Sequence, residues 1–258
     1  MYNNYMKTKQ ELIGIIKKQL AIEYNCRNID FSLSKNIITE SKNNVDKRHY
    51  IEGTFFFQMV TFGDNVVITA DKCIHEWLEN YVKDKEGHWL FEHNNLLEIG
   101  EKLKEFNKKL TQTYHMFISY KKVVPEKRNF EIKWFETEEI HQFYENKLFS
   151  NAIGNNHKRP DVLAIAAYVE NKIIGMAGCS ADTPLLWQVG IDVNKEYRGR
   201  GIGTYLVTLL KNKIEEMGKI PFYGTSLSNL ASWGIALNSG FFPTWIEITT
   251  VEDKKKNI

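Results

Sequence analysis

The sequence predicts an α/β protein with a mixed β-sheet, divided into two domains. Three observations support this prediction. Strand-like and helix-like segments alternate along the chain, and its 258 residues are too many for one average domain. A charged segment with a proline, KKVVPEKRN over residues 121–129, separates two strand-like runs. We therefore expect one α/β domain over residues 1–124 and a second over residues 125–252.

The first half has the pattern of a folding unit of its own. Residues 8–24 carry apolar side chains at helical spacing. Two β-rich runs, residues 55–62 and 66–70, flank a Gly-Asp-Asn turn and predict a hairpin. Asp71 is placed to cap the helix that follows. The elements expected after the hairpin are helices over residues 72–82 and 95–110 and a strand over residues 113–120.

The second half predicts the order β-α-β-β-β-α-β-α-β. A helix that begins near Gly201 is expected to end at Gly218, because glycine stops helices and Pro221 lies just beyond. The other elements follow from the spacing of apolar residues. Strands are expected over residues 130–134, 162–169, 172–179, 186–193, 222–226 and 241–250, and helices over residues 137–149, 201–217 and 229–239.

The composition argues against several classes of protein. A formal net charge of +2, from 34 basic and 32 acidic residues, gives no reason to expect nucleic acid or an anionic membrane as a partner. Three distant cysteines form neither a disulfide framework nor a CxxC pair. His88 and His93 lack an accompanying carboxylate cluster, so we expect no metal site. The polar start and the short apolar runs predict neither signal peptide nor membrane span, and we expect a cytoplasmic protein.

The segment Arg198-Gly199-Arg200-Gly201-Ile202-Gly203 joins a predicted strand to a predicted helix. Its glycines let a ligand approach the backbone closely and tolerate unusual dihedral angles. The unpaired N–H groups and the positive dipole end of the following helix favour an anion such as a pyrophosphate. A surface turn with solvated arginines is the alternative interpretation of this spacing.

Two other phosphate motifs do not fit this segment. The Walker A pattern requires Gly-Lys-Ser/Thr, which is absent, and the Rossmann GxGxxG pattern requires a third glycine where Leu206 stands. The segment instead resembles motif A of the GNAT acetyltransferase superfamily, Q/R-x-x-G-x-G/A, through Arg198, Gly201 and Gly203. Asn229, Ser232 and Gly240-Phe241 resemble the closing N-x-x-S/A…G-F segment of that family. The resemblance covers residues 130–250.

The resemblance implies a GNAT acyl-CoA N-acyltransferase fold that uses acetyl-CoA and releases coenzyme A. Pantetheine would lie along the fourth strand of the fold, in the gap where that strand and the fifth diverge. The pyrophosphate would rest on the glycine turn, and Asn229 and Ser232 would border the pantetheine or the adenine. The implied cofactor residues are Ile191, Asp192, Val193, Arg198, Gly199, Arg200, Gly201, Ile202, Gly203, Thr204, Asn229 and Ser232.

The family's mechanism is direct attack of a neutral amine on the thioester, helped by a strand N–H at the carbonyl oxygen, a base and an acid. This sequence departs from the family at two positions. Ala236 stands where a tyrosine acid is common, and Trp187 or Gln188 where some members carry a glutamate base. Tyr223 and Gln188 are the candidate catalytic substitutes, and Ser226, Asp182 and Cys179 are further options. A packed aromatic is the alternative interpretation of Tyr223, and a small buried side chain that of Cys179.

The sequence therefore favours an N-acetyltransferase that acts on a primary amine of a small molecule or peptide. A non-catalytic acyl-CoA-binding sensor and a structural partner protein are the alternatives. The first half could be a degenerate GNAT-like repeat, as in tandem GNAT proteins of bacteria. It lacks an R-G-x-G turn, so we expect it to shape the substrate pocket or a homodimer interface rather than to bind coenzyme A.

Overall fold

The computed structural model describes residues 7–48, 50 and 52–253. The chain forms two compact units, one containing Met116–Pro243 and the other containing Lys9–His115 and the chain from Thr244 onward. The α/β class with mixed sheets is confirmed in the described residues. The domain boundary between residues 124 and 125 stays a prediction.

The unit that contains Lys9–His115 has a four-stranded mixed arrangement in the order β1-β3-β2-β11, and β4 also pairs with β11. β1 runs parallel to β3, and the other pairs are antiparallel. The helices α2 and α3 pack their apolar sides on this layer. The elements are α1 (Lys9–Glu23), β1 (Ile37–Glu40), β2 (Phe57–Thr61), β3 (Val66–Ala70), α2 (His75–Val82), α3 (His93–Lys104), β4 (Lys108–Leu110) and β11 (Phe241–Glu252, here from Thr244).

Most elements of this unit agree with the sequence prediction, and two differ. The hairpin forms as predicted, and the Asp71 carboxylate accepts a hydrogen bond from the Cys73 N–H at 3.0 Å. The helix predicted over residues 95–110 ends at Lys104, because Lys108–Leu110 pair with β11 instead. β1 was not predicted, since its four half-buried residues lie inside a polar stretch.

A buried ion cluster lies in this unit. The Arg48 guanidinium donates to Glu23 Oε1 at 2.8 Å and to Glu247 Oε2 at 3.0 Å, and Trp245 Nε1 also donates to that Glu247 oxygen at 2.8 Å. The Arg48 side chain is only 2% exposed. The two carboxylates hold the pKa of Arg48 well above its ordinary value, although burial opposes this shift. The cluster joins α1 to β11 through a side chain that cannot lose its charge.

The unit that contains Met116–Pro243 has strand order β5-β10-β9-β8-β7-β6. The pairs β6–β7, β7–β8 and β8–β9 are antiparallel, and the pair β9–β10 is parallel. Its elements are β5 (Tyr114–Ser119, here from Met116), β6 (Glu131–Glu136), β7 (Asp161–Val169), β8 (Lys172–Ala181), β9 (Leu186–Val193), α4 (Ile202–Glu216), β10 (Ile220–Ser226) and α5 (Leu230–Asn238).

Each face of this sheet is covered by a different part of the chain. α4 packs on one face, where Leu206, Leu210 and Ile214 contact the core that includes Ile165 and Val189. Residues 140–153 pack on the other face, against a second apolar cluster. The α-helix predicted over residues 137–149 is instead two 3₁₀ segments, Thr137–Phe143 and Lys147–Phe149. The Asn146 side chain accepts the Leu148 N–H and starts a new turn there.

The charged segment over residues 121–129 is held along α4. The buried Lys211 ammonium donates to the Lys121 carbonyl oxygen at 3.0 Å, and the Asn212 amide donates to the Val123 carbonyl oxygen at 2.9 Å. Gly240 has no room for a side chain, because a Cβ there would overlap the Lys121 carbonyl. These contacts fix the course of a segment that the sequence marks as a linker. Within the described residues, no helix is long and apolar enough to cross a membrane.

We expect Arg48→Ala to lower the free energy of unfolding by about 3–5 kcal/mol, because the change leaves Glu23 and Glu247 buried without their counter-ion. Chemical denaturation followed by circular dichroism measures this loss. Arg27→Ala is the matched control: Arg27 pairs with Asp30 at 2.8 Å but is 77% exposed, so water screens the pair and its loss is expected to cost much less. Equal effects of the two substitutions would contradict the structural role of the buried cluster.

Candidate functional site

The parallel pair β9 and β10 separates partway along its length. Leu186 to Val189 pair with Ile220 to Tyr223, and the register ends at Val189 and Tyr223. Ile191, Asp192 and Val193 continue to pair with β8 on their other side. Their backbone edge toward β10 therefore has no strand partner in the described unit. This opening corresponds to the predicted gap between the fourth and fifth strands of the family fold.

The end of β9 is tied to the chain that crosses its face. The Asp192 carboxylate accepts hydrogen bonds from Asn151 N at 2.8 Å, Asn151 Nδ2 at 2.7 Å and Ala152 N at 3.0 Å. A Cβ at Gly190 would overlap the Asn151 carbonyl oxygen. The side chain of Asp192 thus has a structural function.

The glycine turn between β9 and α4 has the conformation that an anion site needs. Gly199 and Gly201 have φ angles of 74° and 76°, in the left-handed region that favours glycine. Gly201 is the N-cap of α4, and no side chain caps the helix there. The N–H groups of Ile202, Gly203 and Thr204 therefore lack helical partners and lie at the positive end of the helix dipole. The turn can accept the phosphate oxygens of a cofactor.

Arginine side chains surround this turn. Arg198 Nε donates to the Val193 carbonyl oxygen at 2.9 Å, and the Arg200 guanidinium lies 5.3 Å from the centre of the Tyr197 ring. A third arginine, Arg128, places its Nη2 atom 3.1 Å from the position that a Cβ on Gly201 would occupy. The sequence prediction did not include Arg128, because this residue belongs to the segment that resembles a linker. Only the anchoring of that segment on α4 brings Arg128 to the turn.

The other motif residues also have structural functions. A Cβ on Gly203 would lie 2.8 Å from Ile235 Cδ1, so this glycine lets the first turn of α4 approach α5. Asn229 is the N-cap of α5, and its side chain accepts the Ser232 N–H at 3.1 Å. The N-x-x-S pattern is therefore a helix cap in this chain.

The two candidate catalytic residues lie on neighbouring strands but on opposite faces of the sheet. Tyr223 is in register with Val189, and Gln188 is in register with Phe222. Because side chains alternate along a strand, Tyr223 points toward α4 and α5 while Gln188 points toward the face covered by residues 140–153. The structure brings both residues to the closed end of the gap without joining them into one pair.

Tyr223 is suited to hold a proton. Its side chain is 3% exposed and lies in the core beneath α4 and α5. Burial raises the pKa of this hydroxyl, and the polar side chain of Ser232 only partly opposes that shift. The hydroxyl therefore stays protonated at neutral pH, which fits a proton donor and does not fit a base.

Gln188 and Asp182 belong to one polar network. Arg159 Nη1 donates to Gln188 Oε1 at 3.1 Å and lies 3.4 Å from Asp182 Oδ2, while the Ser180 hydroxyl donates to Asp182 Oδ1 at 2.6 Å. Cys179 lies in the core at 1% exposure, and burial raises the pKa of its thiol far above the ordinary value. A thiol that stays protonated is a poor nucleophile. In the described residues, no group of three or more histidine, cysteine or acidic side chains is placed to hold a metal ion.

In a comparison with protein families, the model of the acetyltransferase (GNAT) family matches residues 126–241. That range runs from just before β6 to the start of β11 and includes the glycine turn and both strands of the gap. A comparison with curated protein sequences gave no match.

Comparison with solved structures gave many similar chains. A GNAT-family acetyltransferase from Novosphingobium aromaticivorans is 16% identical over 56% of this chain and 66% of that chain, with a TM-score of 0.44. A GNAT-family acetyltransferase from Colwellia psychrerythraea is 17% identical over 58% of this chain and 60% of that chain, with a TM-score of 0.41. A tandem GNAT protein from the clavulanic acid biosynthesis pathway is 11% identical over 60% of this chain and 58% of that chain, with a TM-score of 0.44. This chain spans less than two thirds of the length of each of these three chains.

Proposed function

We propose that this chain, which belongs to the acetyltransferase (GNAT) family through residues 126–241, is an acetyl-CoA-dependent N-acetyltransferase. Its acceptor would be a primary amine of a small molecule or peptide. The observation that carries the proposal is the juxtaposition of an uncapped, glycine-rich helix N-terminus with a gap between two parallel strands. The turn suits a pyrophosphate, and the open strand edge suits the two amides of pantetheine.

In this proposal, each part of the site has one task. The amides of Ile202, Gly203 and Thr204 and the side chains of Arg198, Arg200 and Arg128 neutralise the phosphates. Gly199 and Gly201 keep the turn in its left-handed conformation. The backbone of Ile191, Asp192 and Val193 aligns the pantetheine, and Asn229 and Ser232 border it from α5.

The bound cofactor would supply an activated acetyl thioester. The chain would position that thioester and protonate the departing sulfur. A neutral amine would attack the thioester carbon, forming the C–N bond as the C–S bond breaks. The attacking nitrogen would give its proton to water or another base, and Tyr223 would give its hydroxyl proton to the departing sulfur. General acids of this kind contribute about 10²–10⁴-fold to rates.

A non-catalytic acyl-CoA sensor is the second candidate. Ala236, which is fully buried, stands where many family members carry a tyrosine acid, and this observation favours the sensor. Acetyl-CoA binding without thiol release on a broad panel of amines would support the sensor. Thiol release with any amine would exclude it. The proposal that residues 1–124 form a degenerate GNAT-like repeat is compatible with either function.

Gly201→Trp tests the position of the pyrophosphate. The indole would fill the turn, so we expect the affinity for coenzyme A to fall by about 100-fold or more, which is about 2.7 kcal/mol or more. Isothermal titration calorimetry measures the affinity. Gly218→Trp is the matched control, because Gly218 has the same left-handed φ of 75° at the other end of α4 and no atom within 4 Å of a Cβ. If Gly201→Trp binds like the control, the cofactor lies elsewhere.

Arg128→Gln tests whether Arg128 contacts a phosphate of the cofactor. Loss of one charge-assisted hydrogen bond to a phosphate costs about 1.5–3 kcal/mol. The affinity for coenzyme A should therefore fall by about 10-fold or more. The dependence of affinity on salt concentration should also become shallower. Lys127→Gln removes a neighbouring exposed charge and serves as the control. Equal, small effects of both substitutions would show that Arg128 supplies only general positive charge.

Tyr223→Phe tests the proton donor. We expect kcat to fall by about 10²-fold while the affinity for coenzyme A stays within about 2-fold, because the ring still packs. With the pKa of Tyr223 raised above about 10, kcat of the unmodified protein should not decline through loss of this proton below that pH. Thiol release in the presence of an accepted amine gives kcat, and Tyr168→Phe on β7 is the control. An unchanged kcat in Tyr223→Phe would assign the proton to another donor.

A further inference from the structure

A row of polar side chains crosses the sheet on the face opposite α4. Asp161 on β7 is in register with Ser180 on β8, and Ser180 is in register with Gln188 on β9. Residues in register share a face of the sheet. Arg159, just before β7, reaches along this row to Gln188, which lies at the closed end of the gap.

The contact with Arg159 decides which way the Gln188 amide points. A guanidinium offers only donors, so the atom of Gln188 that faces Arg159 at 3.1 Å is the acceptor Oε1. The Nε2 group must therefore point the other way. It lies 3.6 Å from the position that a Cβ on Gly224 of β10 would occupy. The two N–H donors of Gln188 are thus presented beneath β10, next to the last paired residues of the two strands.

Arg159 is itself fixed in place. Its Nη1 lies 3.4 Å from Oδ2 of Asp182, a carboxylate with a fully buried side chain. The other oxygen of that carboxylate accepts the Ser180 hydroxyl at 2.6 Å. A buried carboxylate held from both sides cannot rotate freely, so it restricts the guanidinium, and the guanidinium restricts the amide of Gln188.

Gly224 of β10 lies beside the Gln188 amide and is closely packed. A Cβ on Gly224 would lie 2.9 Å from Sδ of Met116 on β5 and 3.6 Å from Nε2 of Gln188. Because Gly224 has no side chain, the Met116 thioether and the Gln188 amide can lie close to the backbone of β10. An acyl group at the closed end of the gap would meet the N–H of Gln188 on this face, opposite the hydroxyl of Tyr223.

We propose that Gln188 donates a hydrogen bond to the acyl carbonyl oxygen and that Arg159, held by Asp182, is the positioning residue that keeps the donor pointed into the gap. This inference rests on the proposed acetyltransferase function. It gives Gln188 the role of an electrophilic stabiliser, because its acceptor oxygen is occupied and an amide is not a base. The carbonyl oxygen gains negative charge as the amine attacks, so a fixed donor lowers the barrier.

Two conservative variants test the proposal without removing the buried counter-ion of Asp182. Gln188→Glu keeps an acceptor for Arg159 but has no N–H. Arg159→Lys keeps the charge beside Asp182 but replaces the planar group that orients the amide. Isothermal titration calorimetry with coenzyme A and with acetyl-CoA, and isotope-edited infrared spectroscopy of the bound thioester carbonyl, need no knowledge of the acceptor. Gln142→Glu, an exposed glutamine in the segment of residues 137–143, is the matched control.

We expect coenzyme A to bind all four proteins within about 2-fold. The preference for acetyl-CoA over coenzyme A should fall by about 10-fold in Gln188→Glu and by a smaller factor in Arg159→Lys. A loss of this size corresponds to one hydrogen bond between uncharged groups. The thioester carbonyl band should shift toward its frequency in water in both variants and should not move in the control. With an accepted amine, kcat should fall by about 10²–10³-fold in Gln188→Glu.

The outcomes separate this inference from the function on which it rests. If the unmodified protein binds neither coenzyme A nor acetyl-CoA, the proposed function fails and the inference fails with it. If it binds both, but Gln188→Glu keeps the acetyl-CoA preference and the carbonyl frequency, only the inference is overturned. A shift in Gln188→Glu with none in Arg159→Lys would retain the donor and reject Arg159 as its positioning residue.

Discussion

The separation of β9 from β10 is the constraint on which the candidate site depends. The two strands are hydrogen-bonded up to Val189 and Tyr223, and no further. Beyond that point, Asp192 ties β9 to Asn151 and Ala152 by three hydrogen bonds, and Gly190 allows this contact because it has no side chain. Arg198 occupies the Val193 carbonyl on this edge, and the other backbone groups of the edge lack a strand partner, which is costly unless water or a ligand completes them. In the proposed function, pantetheine completes them.

In the proposed function, the gap also explains how one site could obtain two different hydrogen-bond donors. Alternation along the strands sends Tyr223 to the face of α4 and α5 and Gln188 to the opposite face. A ligand that enters between the strands would therefore meet the hydroxyl from one side and the amide from the other. Arg159 orients the Gln188 amide, and the core beneath α4 and α5 holds the Tyr223 ring. This arrangement differs from the family pattern, in which a tyrosine occupies the position of Ala236.

The glycine turn combines structural and proposed binding functions in the same residues. Gly199 and Gly201 are required by left-handed backbone angles, and Gly203 by the close approach of α5. Asn229 caps α5 whether or not a ligand is present. Such residues would be retained even by a chain that had lost catalysis. The turn therefore supports the proposed cofactor binding, while the proposed acetyl transfer depends on Tyr223 and on the groups around Gln188.

The sequence alone determined the features that short stretches of chain decide. Apolar spacing placed α1, α4 and most strands within a few residues, and Asp71 and Asn229 were placed where caps form. The glycine turn and the family were also readable, because their residues are neighbours in the chain. Tertiary structure decided the rest. Pairing with β11 turned residues 108–110 into a strand, and the anchoring of a linker-like segment on α4 brought Arg128 to the turn. Register put Gln188 and Tyr223 on opposite faces and Arg159 beside Gln188, since strand pairing and side-chain contacts between distant residues leave no mark in local sequence.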